Sequence, residues 1–217
     1  MKKYVYSFGG GTSDGDGKMR DTLGGKGAGL AEMSRAGVPV PPGFTISTEV
    51  CNLFFENDNK VPEEVDHQIH DALKKLEGQM GKKLGNANDP LLLSVRSGAK
   101  FSMPGMMNTI LNLGLNDETT EGLAKKTGNP RFAYDCYRRF IQMFGEVALG
   151  IEMEKFDHAF DERKKKVKAK LDTDLSAQDL KTVIDEYKKI VKKETGKPFP
   201  QDAHEQLWGA IAAVFGS

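Results

Sequence analysis

The sequence is poor in cysteine, since only Cys51 and Cys136 occur among its 217 residues. Two cysteines cannot build the disulfide framework of a small secreted domain, so we expect two reduced, partly buried thiols. No apolar run approaches the roughly 18 residues that a membrane-spanning helix needs. Residues 1–8 also lack the apolar segment of a signal peptide. These features predict a protein of a reducing compartment, the cytoplasm, with no membrane partner.

The sequence has no excess of charge of either sign, because 31 lysines and arginines balance 31 aspartates and glutamates. Proteins whose main partner is nucleic acid usually carry a basic excess, so we expect no nucleic-acid partner. A hydrophobic content of 38% with 29% charged residues is typical of a globular chain rather than a disordered one. A chain of this length favours one to two domains with a core of their own.

Hydrophobic periodicity predicts short strands and helices up to about residue 116 and helices alone after it. We expect strands at 4–8, 44–47, 91–95 and 108–114, and helices at 27–35, 48–56, 63–80, 130–150, 177–195 and after 200. The last apolar helix runs directly into Gly216 and Ser217. Because domains usually close on a polar or frayed tail, we expect that the chain is cut there.

Residues 23–30, Leu-Gly-Gly-Lys-Gly-Ala-Gly-Leu, place four glycines around one lysine, Lys26. Glycine lets main-chain amides approach an anion because no Cβ stands in the way, and the helix that follows adds its N-terminal dipole. The lysine supplies a compact charge for a phosphate oxygen. The spacing matches neither the Walker A loop nor the dinucleotide fingerprint. The segment predicts a phosphate site, and a flexible turn whose glycines serve packing is the alternative.

A second candidate, Arg96, stands at the end of the strand predicted at 91–95. A guanidinium fork is a natural partner of two phosphate oxygens, but a structural ion pair with a carboxylate is an equally good interpretation. Three methionines follow at 103, 106 and 107 beside a Pro-Gly turn. Methionine forms adaptable apolar surface, which fits either contact with a flat base or the filling of a core.

Two further features favour a structural interpretation. The basic run at 163–170 fits an acidic partner or nucleic acid, but acidic residues just upstream favour a solvated helix face. No cysteine or glutamate stands in a metalloprotease arrangement with His67 and His70. We therefore expect these two histidines at the surface and not in a zinc site.

Two segments of the sequence together match a known pattern. The first is LGGKGAGLAEM at 23–33, followed by VPPGF at 40–44. The second is SVRSGA at 94–99, followed by SMPGMMNTILNLGL at 102–115. They resemble the pyruvate phosphate dikinase and phosphoenolpyruvate synthase family. The second segment is similar to the dikinase branch in particular, and residues 207–217 also resemble the family.

The resemblance implies an α+β fold, in which a partial ATP-grasp lobe with a mixed sheet is followed by a mostly helical inserted subdomain. It implies that residues 1–116 are the first lobe, that 117–200 are the helical subdomain, and that 201–217 begin a return to the nucleotide-binding domain. It also implies that Lys26 and Arg96 act on the triphosphate of ATP. The cofactor-binding positions carried over with them are Gly24, Gly25, Gly27, Ser97, Gly98, Met107 and Thr109.

The resemblance further implies ATP as substrate and Mg²⁺ as cofactor, with the metal ligands outside this chain. The implied partners are a second ATP-grasp lobe, a phosphohistidine domain and a pyruvate-binding barrel. The parent reaction would convert ATP, phosphate and pyruvate into AMP, diphosphate and phosphoenolpyruvate, and the chain alone is expected not to turn over. Three alternatives stay open: a stand-alone nucleotide- or phosphate-binding module, part of a phosphoenolpyruvate synthase, and a helical interaction module at 152–195.

Overall fold

The computed structural model describes residues 2–98 and 108–216, which divide into two compact units. The described part of the first unit is 2–81, 96–98, 108 and 215–216, and that of the second is 82–95 and 109–214. Strands and helices together confirm the expected α+β class. The functional limits expected at residues 116 and 200 stay predictions.

An antiparallel sheet forms the centre of the first unit. Its strands, in spatial order, are β2 (Thr12–Ser13), β1 (Val5–Gly9) and β3 (Gly43–Ile46). Tyr6 lies opposite Thr45, and residues directly opposed in an antiparallel pair point to the same face. Ser47 follows Thr45 by two residues, and its N–H donates to Tyr4 O at 2.8 Å, so it continues on that face.

Helix α1 (Arg20–Arg35) covers this face of the sheet. Its buried residues Leu23, Ala28 and Ala31 form a cluster against which Tyr6 packs. The sequence predicted a start near residue 27, but the helix begins seven residues earlier and is interrupted at Gly24, which has φ 68° and ψ 171°. Periodicity missed the first turn because the interruption separates it from the apolar pattern of the rest.

Two more helices complete the first unit, α2 (Glu49–Glu56) and α3 (Glu63–Met80). The prediction for α3 is confirmed with the same limits. Its apolar stripe is buried, with Val65 and Ile69 fully covered, and Gly81 ends the helix in the left-handed conformation at φ 62°.

Helices dominate the second unit. They are α4 (Asp117–Thr127), α5 (Pro130–Val147), α6 (Met153–Val167), α7 (Ala177–Thr195) and α8 (Ala203–Phe215), with a single 3₁₀ turn at Asp172–Asp174. The predicted start of α7 is confirmed, because Ser176 and Asp179 form a capping box. Aromatic rings fill the core, where Phe199 lies 5.6 Å from both Phe140 and Phe144 between ring centroids.

The remaining strands form two separate pairs, and they lie in the second unit except for Arg96. A parallel pair joins β4 (Lys83–Leu84) to β5 (Pro90–Leu91), and a second pair joins β6 (Leu93–Arg96) to β7 (Thr109–Leu113). The single strand predicted at 91–95 is therefore wrong, because the chain changes its pairing partner at Leu92. A continuous apolar run carries no sign of such a change. Of the helices that the structure describes, none has the length and apolarity to cross a membrane.

Candidate functional site

The glycine segment, residues 24–27, lies at a break within α1. The backbone of Gly24, with φ 68° and ψ 171°, occupies a region of conformational space that is essentially reserved for glycine. It separates one turn, 20–23, from a regular helix that runs from residue 25 to Arg35. The first amides of a helix have no carbonyl partner within it, so those that begin at Gly25 form the type of N-terminus that binds anions.

Residues of β3 and of the start of α2 contact α1 on both sides of the break at Gly24. A Cβ added to Gly27 would lie only 2.8 Å from Thr45 Cγ2, so the helix can approach the strand this closely only with glycine there. Thr48 donates its N–H to Thr22 O at 2.8 Å and its hydroxyl to Asp21 O at 2.5 Å. These bonds fix the turn that precedes Gly24.

Residues 97–98 lie against the other side of the glycine segment. Lys26 Nζ donates to Ser97 O at 3.2 Å, and a Cβ on Gly98 would be 4.0 Å from Leu23 O. The N–H of Ser97 in turn donates to Asn108 O at 3.0 Å. Arg96 directly precedes these residues, so the two predicted cations belong to neighbouring stretches of the same unit, 70 positions apart in sequence.

The two cations are not neutralised within the part of the chain that the structure describes. Both side chains are exposed, and neither forms an ion pair with a described carboxylate. The described residues therefore do not support the alternative that Arg96 forms a structural ion pair. Arg138 of α5 shows the contrasting case, since it is buried and its Nη2 lies 2.8 Å from Asp135 Oδ1.

The other predicted positions divide between the two units and the undescribed stretch. Gly24 and Gly27 are buried, whereas Gly25 and Gly98 are exposed. Thr109 opens β7 in the second unit and is half-buried. Met107 lies outside the described residues, as do the other two methionines of its cluster.

The described residues contain no group of three or more histidine, cysteine or acidic side chains arranged to hold a metal ion. A cage of three or more such side chains for the magnesium that the resemblance implies is therefore not found in residues 2–98 and 108–216. Both cysteines are free thiols, and burial raises the pKa of Cys136.

In the basic run at 163–170, Lys164 pairs with Asp172 at 2.6 Å and Lys165 with Glu162 at 3.0 Å. These pairs support the interpretation of the run as a solvated helix face.

Sequence reasoning missed the hydroxyl residues that support the glycine segment, Thr45, Ser47 and Thr48. Isolated serines and threonines carry no spacing signature, and their contacts depend on how β3 meets α1. It also missed the carbonyl of Ser97 as the partner of Lys26, because every residue has a carbonyl and nothing in a sequence distinguishes this one.

Comparison with known proteins shows the family to which the chain belongs. The family model described as pyruvate phosphate dikinase, AMP/ATP-binding domain, matches residues 20–61 and 56–149. Pyruvate, phosphate dikinase of Rhizobium meliloti (strain 1021) is 49% identical over 217 residues, and that of Clostridium symbiosum is 50% identical over 218 residues. Both alignments cover all of this chain but only 24% of the relative. The chloroplastic enzyme of Flaveria pringlei is 50% identical over 216 residues, with 22% of its length covered.

Proposed function

Because the chain belongs to the family of the pyruvate phosphate dikinase AMP/ATP-binding domain, we propose that it is the ATP-binding part of a pyruvate phosphate dikinase. In this proposal the glycine segment, Lys26 and Arg96 bind the phosphates of ATP. The complete enzyme would convert ATP, phosphate and pyruvate into AMP, diphosphate and phosphoenolpyruvate through a phosphohistidine. The relatives reported above all carry the dikinase name, which favours this branch over phosphoenolpyruvate synthase.

One observation carries the assignment of the site: Lys26 Nζ lies 3.2 Å from Ser97 O, beside Arg96. This contact brings a helix N-terminus, an ammonium group and the end of β6 into one part of the first unit. Amides at a helix N-terminus, a compact ammonium charge and a guanidinium fork are three complementary ways of binding phosphate oxygens. Turn packing alone would account for the glycines, whereas phosphate binding also gives a role to the two exposed cations beside them.

The chain spans about a quarter of the length of the curated relatives that it matches. We therefore propose that phosphoryl transfer needs further domains, namely a second ATP-grasp lobe, a phosphohistidine domain and a pyruvate-binding barrel. The described residues contain no cluster of three or more metal-ligating side chains, so we assign no step to a metal bound by them. The 217-residue chain should bind ATP and should not form ATP from AMP, diphosphate and phosphoenolpyruvate.

Isothermal titration of the 217-residue chain with ATP, and separately with inorganic tripolyphosphate, tests the site. Hydrogen bonds to charged groups contribute about 1.5–3 kcal/mol, so Lys26→Ala and Arg96→Ala should each weaken binding by roughly 10- to 100-fold. The matched control is Lys74→Ala, which removes an exposed lysine of α3 and should leave the dissociation constant unchanged. All titrations share one salt concentration, since surface electrostatics are screened by salt.

Equal affinity of the Lys26→Ala, Arg96→Ala and Lys74→Ala variants for ATP would contradict the proposed phosphate site. Binding of ATP that depends on Lys26 while tripolyphosphate does not bind would move the main contacts from the phosphates to the nucleoside. Formation of ATP by the purified chain alone would contradict the proposal that the transfer needs further domains.

A further inference from the structure

Ser47 carries a buried hydroxyl with no hydrogen-bond partner in the part of the chain that the structure describes. The residue is only 1% exposed, so bulk water does not reach this group. Its main chain is satisfied, because its N–H donates to Tyr4 O at 2.8 Å and its carbonyl accepts from the N–H of Val50 at 3.0 Å. The hydroxyl is thus a buried polar group without a hydrogen bond to any described residue, which is rare in folded proteins.

Alanine would suit this state of the protein better than serine, since an unpaired buried hydroxyl is less favourable than an apolar group of similar size. Two other hydroxyls of the same unit are paired. Ser34 donates to Leu30 O at 2.8 Å, and Thr48 donates to Asp21 O at 2.5 Å. A hydrogen bond to another described residue therefore does not explain a serine at this position, and we look for its partner in the ligand-bound state.

The position of Ser47 relates that state to the glycine segment. On the same face of the sheet, Thr45 lies under Gly27. The next residue, Thr48, donates its N–H to Thr22 O at 2.8 Å. Ser47 is therefore flanked by two contacts, one on each side of the break at Gly24. Glycine changes its backbone angles at little cost because it lacks a Cβ, so the peptide groups at this break can turn when a ligand binds their neighbours.

We propose that Ser47 is a positioning residue of the phosphate site. When a polyphosphate binds the amides that begin at Gly25, the peptide groups around Gly24 turn, and one of them forms a hydrogen bond with the Ser47 hydroxyl. This bond exists only in the bound state, so it contributes to affinity and not to the stability of the free chain. The inference rests on the proposed function, because it assumes that ATP binds at the glycine segment.

The test compares Ser47→Ala with Ser34→Ala in two measurements, thermal unfolding without ligand and titration with ATP. Ser34 is the matched control because it is also fully buried, but its hydroxyl is bonded and it lies near the opposite end of α1. We expect Ser47→Ala to unfold at the same or a higher temperature than the unaltered chain and to bind ATP about fivefold more weakly, the value of one neutral hydrogen bond. Ser34→Ala should unfold at a lower temperature and bind ATP with unchanged affinity.

The outcomes separate this inference from the proposed function. If the unaltered chain binds ATP and Ser47→Ala binds it equally well, the positioning role is wrong and the phosphate site stands. A lower unfolding temperature for Ser47→Ala would also overturn it, since the hydroxyl would then serve the free chain. If the unaltered chain binds neither ATP nor tripolyphosphate, the proposed function fails and the role of Ser47 fails with it. Ser47→Cys, which keeps the size but is a poor donor, should behave as Ser47→Ala does.

Discussion

Three glycines of α1 differ in what the structure requires of them, and this difference predicts which of their alanine variants lose stability and which gains it. Gly24 has φ 68° and ψ 171°, a conformation that costs a residue with a Cβ about 1–3 kcal/mol. Gly27 has ordinary helical angles, but a Cβ there would lie 2.8 Å from Thr45 Cγ2. Gly29 is helical, and a Cβ there would meet nothing within 4 Å.

Gly24→Ala should therefore lower the free energy of unfolding by about 1–3 kcal/mol through backbone strain. Gly27→Ala should lower it by a similar amount, about 1–3 kcal/mol, through overpacking against β3. Gly29→Ala should instead raise it by about 0.5–1 kcal/mol, because alanine is a better helix former than glycine. Gly24→Ala and Gly27→Ala should thus each be less stable than Gly29→Ala by about 1.5–4 kcal/mol, a difference that urea unfolding resolves.

The refuting results for this series are specific. A Gly24→Ala variant as stable as the unaltered chain would mean that the break in α1 is absent in solution. A Gly29→Ala variant less stable than the unaltered chain would mean that this part of α1 is not an open helical surface. A Gly27→Ala variant that is stable and binds ATP normally would remove the close approach of α1 to β3 from the account of the site.

Two further predictions concern the second unit. Gln206 is fully buried, and its side chain bonds three main-chain groups, Gly114 N–H, Leu115 O and Pro200 O. Because Gln206→Leu leaves these groups unpaired, it should lower the free energy of urea unfolding by at least about 3 kcal/mol. The control, Gln79→Leu at an exposed position, should change it by less than about 0.5 kcal/mol. Hydrogen bonds from the hydroxyl and N–H of Ser176, and then from Arg163, lower the pKa of the Asp179 carboxyl below its usual 3.8. The ionised carboxylate therefore stabilises the folded chain above pH 3.8, and this contribution is lost as the pH falls through the lowered pKa. Asp179→Asn should reduce the loss of stability between neutral pH and pH 3, and a carboxyl pKa that NMR finds at or above 3.8 would contradict this.

The sequence could predict those parts of the fold whose signal is local. Helix α3 has the expected limits because its apolar stripe is regular and Gly81 supplies the stop. The start of α7 follows from the Ser176 and Asp179 spacing alone. The strand pairs around Leu92 could not be predicted. The chain before Leu92 pairs with β4 and the chain after it pairs with β7, but the hydrophobicity of the sequence does not change there.

The candidate site divides in the same way. Glycine and lysine types are visible in a sequence, so Lys26 and the glycine segment could be identified as candidates before the fold was known. Their relation to Arg96 depends on a hydrogen bond to the carbonyl of Ser97, and no side-chain pattern encodes a main-chain acceptor. The supporting hydroxyl of Thr48 depends on how α2 follows β3, which is a tertiary fact.

The identity of the group that holds Lys26 matters for what the site can do. A carboxylate partner would fix the ammonium group but would also neutralise it, as Asp135 does for Arg138 in the second unit. The carbonyl of Ser97 is a dipole, so it orients the ammonium group at 3.2 Å while leaving the full positive charge available to a polyanion. In the proposed site, an incoming phosphate would then have one hydrogen bond to a carbonyl to replace rather than an ion pair to break. Under the proposed function, the ammonium group of Lys26 is thus positioned by Ser97 O before the ligand arrives, which lowers the cost of ordering it on binding.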